Sequence, residues 1–144
     1  RQIEKMYFAI VAKRPDPING RLTHYILKDE SKNVVKAFDQ PSNRSKNAKR
    51  ADLDYQLIGE IGDHFLLQIN PHTGRPHQIR EQLAKIGYPI KGDLKYGFQK
   101  ANQNGCINLH CASMTFIHPI KKEKITISAP LPDEQAWNLF EGFL

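Results

Sequence analysis

Cysteine is scarce, long apolar runs are missing, and acids are outnumbered by bases. Two cysteines, Cys106 and Cys111, are too few for a disulfide framework, so a reducing cytoplasm is the simpler setting. No stretch approaches the roughly 18 to 20 consecutive apolar residues that a membrane span needs, so no membrane partner is expected. Repeats, linkers and low-complexity tracts are also lacking. There is no signal peptide. The chain opens on Arg1 rather than methionine, and further sequence upstream is expected. The shortage of acid leaves a net charge of +6 on 144 residues. Such an excess suits a polyanionic partner, because each Lys or Arg that neutralises a phosphate releases condensed counterions. A solvated basic surface explains it equally well.

What is present reads as one globular chain, long enough to bury a core without staples. Residues 5–12 are rich in aromatic and β-branched side chains and predict a strand. A turn follows at Pro15, Pro17, Asn19 and Gly20, then strands over residues 22–27 and 34–38. Residues 40–50 carry Arg44, Lys46, Lys49 and Arg50 with no acid among them, and predict a loop or hairpin tip. Strand signals return at 51–58 and 64–69. From Arg75 the period changes: Ile79, Leu83 and Ile86 recur at helical spacing, and Gly87 supplies a stop. Two more strands are expected over 107–117 and 124–129, joined by a turn at His118 and Pro119. A short terminal helix beyond Asp133 should turn Trp137 and Phe140 inward. Strands in hairpin-linked runs with few helices predict an α+β fold on a largely antiparallel or mixed sheet.

The chemistry concentrates between His72 and Arg80. A strand ends at Asn70, a Thr-Gly turn follows, and a helix is expected to open near Pro76, where proline suits the first turn. Helix N-termini favour anions. Arg75, His77, Gln78 and Arg80 would therefore be well placed to hold a phosphate, a carboxylate or a polar base edge. A capped surface helix with its charges in water is the competing reading. On strand pattern alone, Tyr7 reads as a core aromatic.

Residues 73–97 contain T-G-R-x-H-Q-I-R, a helix, and then G-x-P-I-x-G-D-x-x-Y-G. The fixed positions are Thr73, Gly74, Arg75, His77, Gln78, Ile79, Arg80, Gly87, Pro89, Ile90, Gly92, Asp93, Tyr96 and Gly97. This composite block resembles that of the RluA-type pseudouridine synthases. Lys5 and Tyr7 match the K-x-Y of that family's post-catalytic strand. Leu109, His110 and Ala112 resemble its L-H-A segment, His118-Pro119 its H-P turn, and Pro130, Leu131 and Pro132 its A-P-L-P. Gln82 departs from a frequent histidine, a change expected to be tolerated. The resemblance is weakest over 29–50.

The resemblance implies the pseudouridine synthase fold and a cofactor-free, metal-free isomerisation of uridine in ribosomal or transfer RNA by a monomer. A catalytic aspartate attacks a flipped-out nucleotide, the glycosidic bond breaks, and the base rejoins through C5. It implies that Arg80 pairs with that aspartate and keeps it ionised. It implies that Tyr7 stacks on the base and handles the C5 proton. Arg80 replacement is then expected to abolish activity while leaving the fold largely intact. Lys5, Arg75, His77 and Gln78 become candidate RNA contacts. Arg44, Lys46, Lys49 and Arg50 form either a phosphate-contacting loop or a solvated tip.

The family's aspartate lies in an R-L-D-x-x-T/S-S-G motif, and no aspartate here fits it. Asp54 follows Leu53, but Asp52 stands where arginine should be. Asp93 is expected to brace its loop rather than to react. The 144 residues are therefore expected to be the C-terminal portion of a single catalytic domain whose aspartate motif lies before Arg1. An RNA-binding module without chemistry is the alternative. A zinc site at Cys106, His110, Cys111 and His118 fits poorly, because strand alternation sends His110 and Cys111 to opposite faces. This yields a first test. Incubated with RNA substrates, the 144-residue chain alone should form no pseudouridine by nucleoside analysis, and product above background would contradict the reading.

Overall fold

The computed structural model describes residues 3–42 and 45–143. Seven strands form one sheet: β1 (Ile3–Val11), β2 (Asn19–Asp29), β3 (Val34–Phe38), β4 (Lys49–Ile61), β5 (His64–Pro71), β6 (Leu109–Ile117) and β7 (Lys124–Ser128). Their order is β3-β2-β4-β5-β1-β6-β7, and every pairing is antiparallel. Two helices accompany it, α1 (Gln78–Lys85) and α2 (Gln135–Asn138), with 3₁₀ turns at Leu94–Tyr96 and Glu141–Phe143. The expected α+β, largely antiparallel architecture is what forms.

Strand alternation divides the core into two layers. From β1, Ala9 and Val11 point to one face, where they meet Leu53, Leu67, Ile69 and the inner side of α1 at Ile79 and Leu83. Phe8 and Ile10 point to the other, where Leu66 and Ala112 receive Trp137 and Phe140. Trp137 is 2% exposed, so the short α2 is anchored by its aromatic side chain rather than by its length. A third cluster, Ile26, Val35, Ala37, Ala51 and Tyr96, ties the β2–β3 edge to the 3₁₀ turn. Gln82 is fully buried, and its amide nitrogen reaches Ala51 O at 3.1 Å and His24 Nδ1 at 2.9 Å.

Three expected boundaries move. The helix begins at Gln78, not near Pro76, because His77 is the N-cap in a left-handed conformation (φ 51°) that breaks the helical path. β4 begins at Lys49, so Lys49 and Arg50 are strand residues paired with Ile26 and Tyr25 rather than part of a loop tip. The strand expected from residue 107 starts at Leu109. The helix end is as expected: Gly87 (φ 95°) donates to Ala84 O, and Tyr88 N donates to Leu83 O. That pair of bonds satisfies the orphan carbonyls of the last turn.

After α1 the chain comes alongside the end of β1 at residues 90 and 91. Ile90 bridges Val11, and Lys91 N donates to Ile10 O. Gly92 (φ 85°) is required here, since a Cβ would stand 2.4 Å from Asn102 Nδ2 and 3.0 Å from Cys106 O. Gly92→Ala should therefore cost about 2 kcal/mol, combining left-handed strain with the clash. Thermal denaturation should show Tm lowered by several degrees; an unchanged Tm would contradict this account of the loop.

Candidate active site

A cleft of about 240 Å³ opens where β1, the turn after β5 and the start of α1 meet. Lys5 and Tyr7 reach it from β1, Arg75 and His77 from the turn, and Gln78 and Arg80 from α1. Pro71, Gly74, Ile79 and Leu109 complete the walls. Lys5 and Tyr7 are two residues apart on one strand and so share a face. Next to them, the pairing of β1 with β6 shifts register between Met6 and Tyr7, an irregularity of the kind that re-aims side chains. Tyr7 also packs on the main core cluster, so the core reading and the site reading of this residue are compatible.

The turn is held by its own polar side chains. Gln78 is 4% exposed, and its Oε1 accepts from Thr73 Oγ1 at 2.7 Å and from Arg75 N at 3.1 Å. Its Nε2 donates to Asp52 O at 3.0 Å. Thr73 Oγ1 in turn accepts from Asp52 N at 3.1 Å. Gln78 thus lines the cleft, but its amide is engaged in locking the turn to β4. Arg75 Nε donates to Arg50 O at 2.9 Å, which lays this side chain toward β4.

Arg80 is the most constrained side chain of the group. Its Nε and Nη2 donate to Asp93 Oδ2 and Oδ1, each at 2.8 Å. Asp93 is 1% exposed and the Arg80 side chain 20%. The guanidinium also lies over the Tyr96 ring, 4.8 Å from its centroid. The hydrogen bonds from Arg80 to Asp93 raise the pKa of Arg80 further, against the opposing effect of burial. A guanidinium has five N–H donors. Asp93 takes two, which leaves Nη1 and the second Nη2 hydrogen for a ligand.

His77 completes the set. Its Nδ1 lies 2.8 Å from Tyr96 Oη, and Val35 N donates to that same Oη at 2.9 Å. Burial lowers the His77 pKa, and the nearby Arg80 and Lys95 cations lower it further. Both effects favour the neutral imidazole.

The other expected contacts lie apart from this cleft. Lys46, Lys49 and Arg50 are exposed at and before the start of β4, and Arg44 lies outside the described residues. Arg50 pairs with Asp52 at 3.1 Å, and its carbonyl is what connects it to Arg75. The His110 ring meets Trp137 edge-on, and His118 Nδ1 accepts from the amides of Ile120 and Lys121.

Sequence reasoning missed two residues that frame the site, Asp93 as the partner of Arg80 and Tyr96 as the partner of both Arg80 and His77. Both stand in the G-x-P-I-x-G-D-x-x-Y-G block, which was the available signal. A neutral residue at position 80 would leave the buried Asp93 carboxylate without its cation.

A model of the RNA pseudouridylate synthase family matches residues 1–85. Ribosomal large subunit pseudouridine synthase C of Vibrio cholerae is 29% identical over 137 residues, covering 91% of this chain and 41% of that protein. tRNA pseudouridine synthase C of Haemophilus influenzae is 32% identical over 162 residues, covering 99% of this chain and 65% of that protein. Among solved structures, human RNA Pseudouridylate Synthase Domain Containing 4 superposes with a TM-score of 0.70 at 23% identity, over 91% of this chain and 59% of that one. That likeness shows the fold. The chain thus spans between 41% and 65% of the length of these two relatives.

The Arg80–Asp93 pair makes a direct prediction. Asp93→Asn leaves a largely enclosed cation without its charge partner and should lower stability by about 3 kcal/mol. Urea unfolding measures this; a loss below about 1 kcal/mol, the range of exposed pairs, would show that the pair is not structural.

Proposed function

The chain belongs to the RNA pseudouridylate synthase family, and we propose that the protein containing it isomerises uridine to pseudouridine in structured RNA. The observation that carries this reading is convergence. Lys5 and Tyr7 are separated from Arg75, His77 and Arg80 by more than 65 residues of sequence, yet all five line one cleft. A shared cleft is what a common reaction requires and what a set of unrelated surface charges would not produce.

In this mechanism an aspartate from outside these 144 residues attacks the target nucleotide. Arg80 meets its carboxylate with the N–H groups that Asp93 leaves free, holding it ionised and oriented. The carboxylate bonds to C1′ as the C1′–N1 bond breaks; the base turns, and C5 then bonds to C1′ as the carboxylate leaves. The C5 proton then leaves, and N1 ends protonated, so atoms balance with no cofactor or redox partner. Tyr7 combines an aromatic face for stacking with a hydroxyl for the C5 proton. Lys5 and Arg75 are cations at the cleft rim, suited to the phosphates beside a flipped nucleotide. Lys46, Lys49 and Arg50 are exposed cations away from the cleft, suited to backbone contacts with ribosomal or transfer RNA. The cytoplasm is the proposed compartment.

An RNA-binding module without chemistry would share the exposed cations but has no need of a guanidinium fixed on two hydrogen bonds and a ring. The test is Arg80→Lys in the intact protein. Lysine keeps the charge near Asp93 but loses the planar fork. The variant should stay folded by circular dichroism and lose at least about 100-fold in the rate of pseudouridine formation, the scale of one misoriented catalytic group. Near-normal turnover would remove Arg80 from the mechanism, and a wild-type protein that binds RNA without forming product would favour the binding module.

A further inference from the structure

The hydrogen bonds at Tyr96 fix more than the loop. Val35 N is a backbone amide and can only donate, so Tyr96 Oη accepts there, at 2.9 Å. The phenol proton then goes to its other neighbour, His77 Nδ1 at 2.8 Å. An imidazole that accepts at Nδ1 carries its own hydrogen on Nε2. The ring meets Tyr96 edge-on, with 87° between the planes. His77 Nε2 makes no hydrogen bond to any other described residue, and His77 lines the cleft. The residue also holds φ at 51°, a conformation uncommon outside glycine and asparagine and concentrated at functional sites.

We infer that Tyr96 is a positioning residue that sets His77 as an Nε2–H donor into the cleft, there to meet a carbonyl oxygen of the target base. The inference rests on the functional reading above and adds to it a residue that recognises the base itself. A carbonyl suits this donor better than a phosphate does, for two reasons. Burial and the neighbouring Arg80 both favour the neutral ring. Lys5, Arg75 and Arg80 line the same cleft and are stronger ligands for an anion. Uracil offers two carbonyl acceptors, whereas cytosine replaces one of them with an amine donor. Where Nε2–H faces that position, it discriminates between the two pyrimidines.

The experiment has two arms on the intact protein. Nitrogen-15 NMR of the histidine rings should show His77 Nδ1 unprotonated and hydrogen-bonded, with the proton on Nε2. In Tyr96→Phe the Nδ1 resonance should move toward that of an unbonded acceptor. Protonation at Nδ1 in the wild type would overturn the proposal without reference to activity. In the second arm kcat/KM is measured for Tyr96→Phe, His77→Asn, His77→Gln and the Tyr96→Phe/His77→Asn pair. Asparagine tolerates the left-handed backbone but does not reach the Nε2 position, whereas glutamine places an N–H there. Tyr96→Phe and His77→Asn should each lose about tenfold, one hydrogen bond's worth. The double variant should lose no more than His77→Asn alone, and His77→Gln should retain part of the activity. Losses that multiply would show that Tyr96 acts independently of His77 and would overturn the proposal. A wild-type protein that forms no pseudouridine removes the functional reading instead, and the NMR arm still decides the tautomer.

Discussion

The Arg80–Asp93 ion pair is the constraint on which the site depends. Asp93 is almost wholly enclosed, and a carboxylate in that setting needs a hydrogen-bonded cation to remain charged. Arg80 supplies it across 13 residues of sequence, so α1 and the 3₁₀ turn are fixed to each other through one guanidinium. Tyr96 then closes the open face of that guanidinium. The result is a side chain with a single orientation and a defined set of unused donors. Because Asp93 already balances its charge, a ligand at those donors is selected more by hydrogen-bond geometry than by net attraction. That suits a carboxylate presented by the protein better than a mobile phosphate.

A second lock acts on the turn after β5. Thr73, Gln78 and the backbone of Asp52 form a closed set of hydrogen bonds that pins the turn after β5 to β4. With its amide used in this way, Gln78 holds the turn that carries Arg75 and His77. The two locks share α1: Gln78 opens the helix and Arg80 lies half a turn further on. The inner side of that helix, Ile79 and Leu83, is buried on the same sheet face that carries Tyr7. Packing energy in the core therefore maintains the distance between Tyr7 and Arg80.

Much of this was legible in the sequence because it depended on local pattern. Alternating side chains marked the strands, Gly87 marked the end of α1, and Trp137 and Phe140 marked a terminal segment that folds inward. Block matching selected Lys5, Tyr7, Arg75, His77 and Arg80, all of which line the cleft. The failures were of long-range origin. Proline at 76 is a valid helix-start signal, yet the left-handed His77, held by Tyr96 from 19 residues away, delays the helix. Lys49 and Arg50 look like loop residues until β2 provides their ladder partners. Asp93 was assigned to bracing its loop, which it does, but nothing local indicated that Arg80 would be the means.

The central claim is that this cleft is a preformed half of an active site, with Arg80 presenting its remaining N–H groups to a catalytic carboxylate and Tyr7 facing the base. The most direct measurement is a crystal structure of the intact protein bound to RNA whose target uridine carries fluorine in place of the C5 hydrogen, so that no proton can be lost from C5. The account predicts a nucleotide turned out of its strand and stacked on Tyr7. It also predicts an aspartate carboxylate within hydrogen-bond reach of Arg80 Nη1 while Asp93 keeps its own two bonds. A flipped base bound elsewhere, or an Arg80 that abandons Asp93 to reach its ligand, would contradict it.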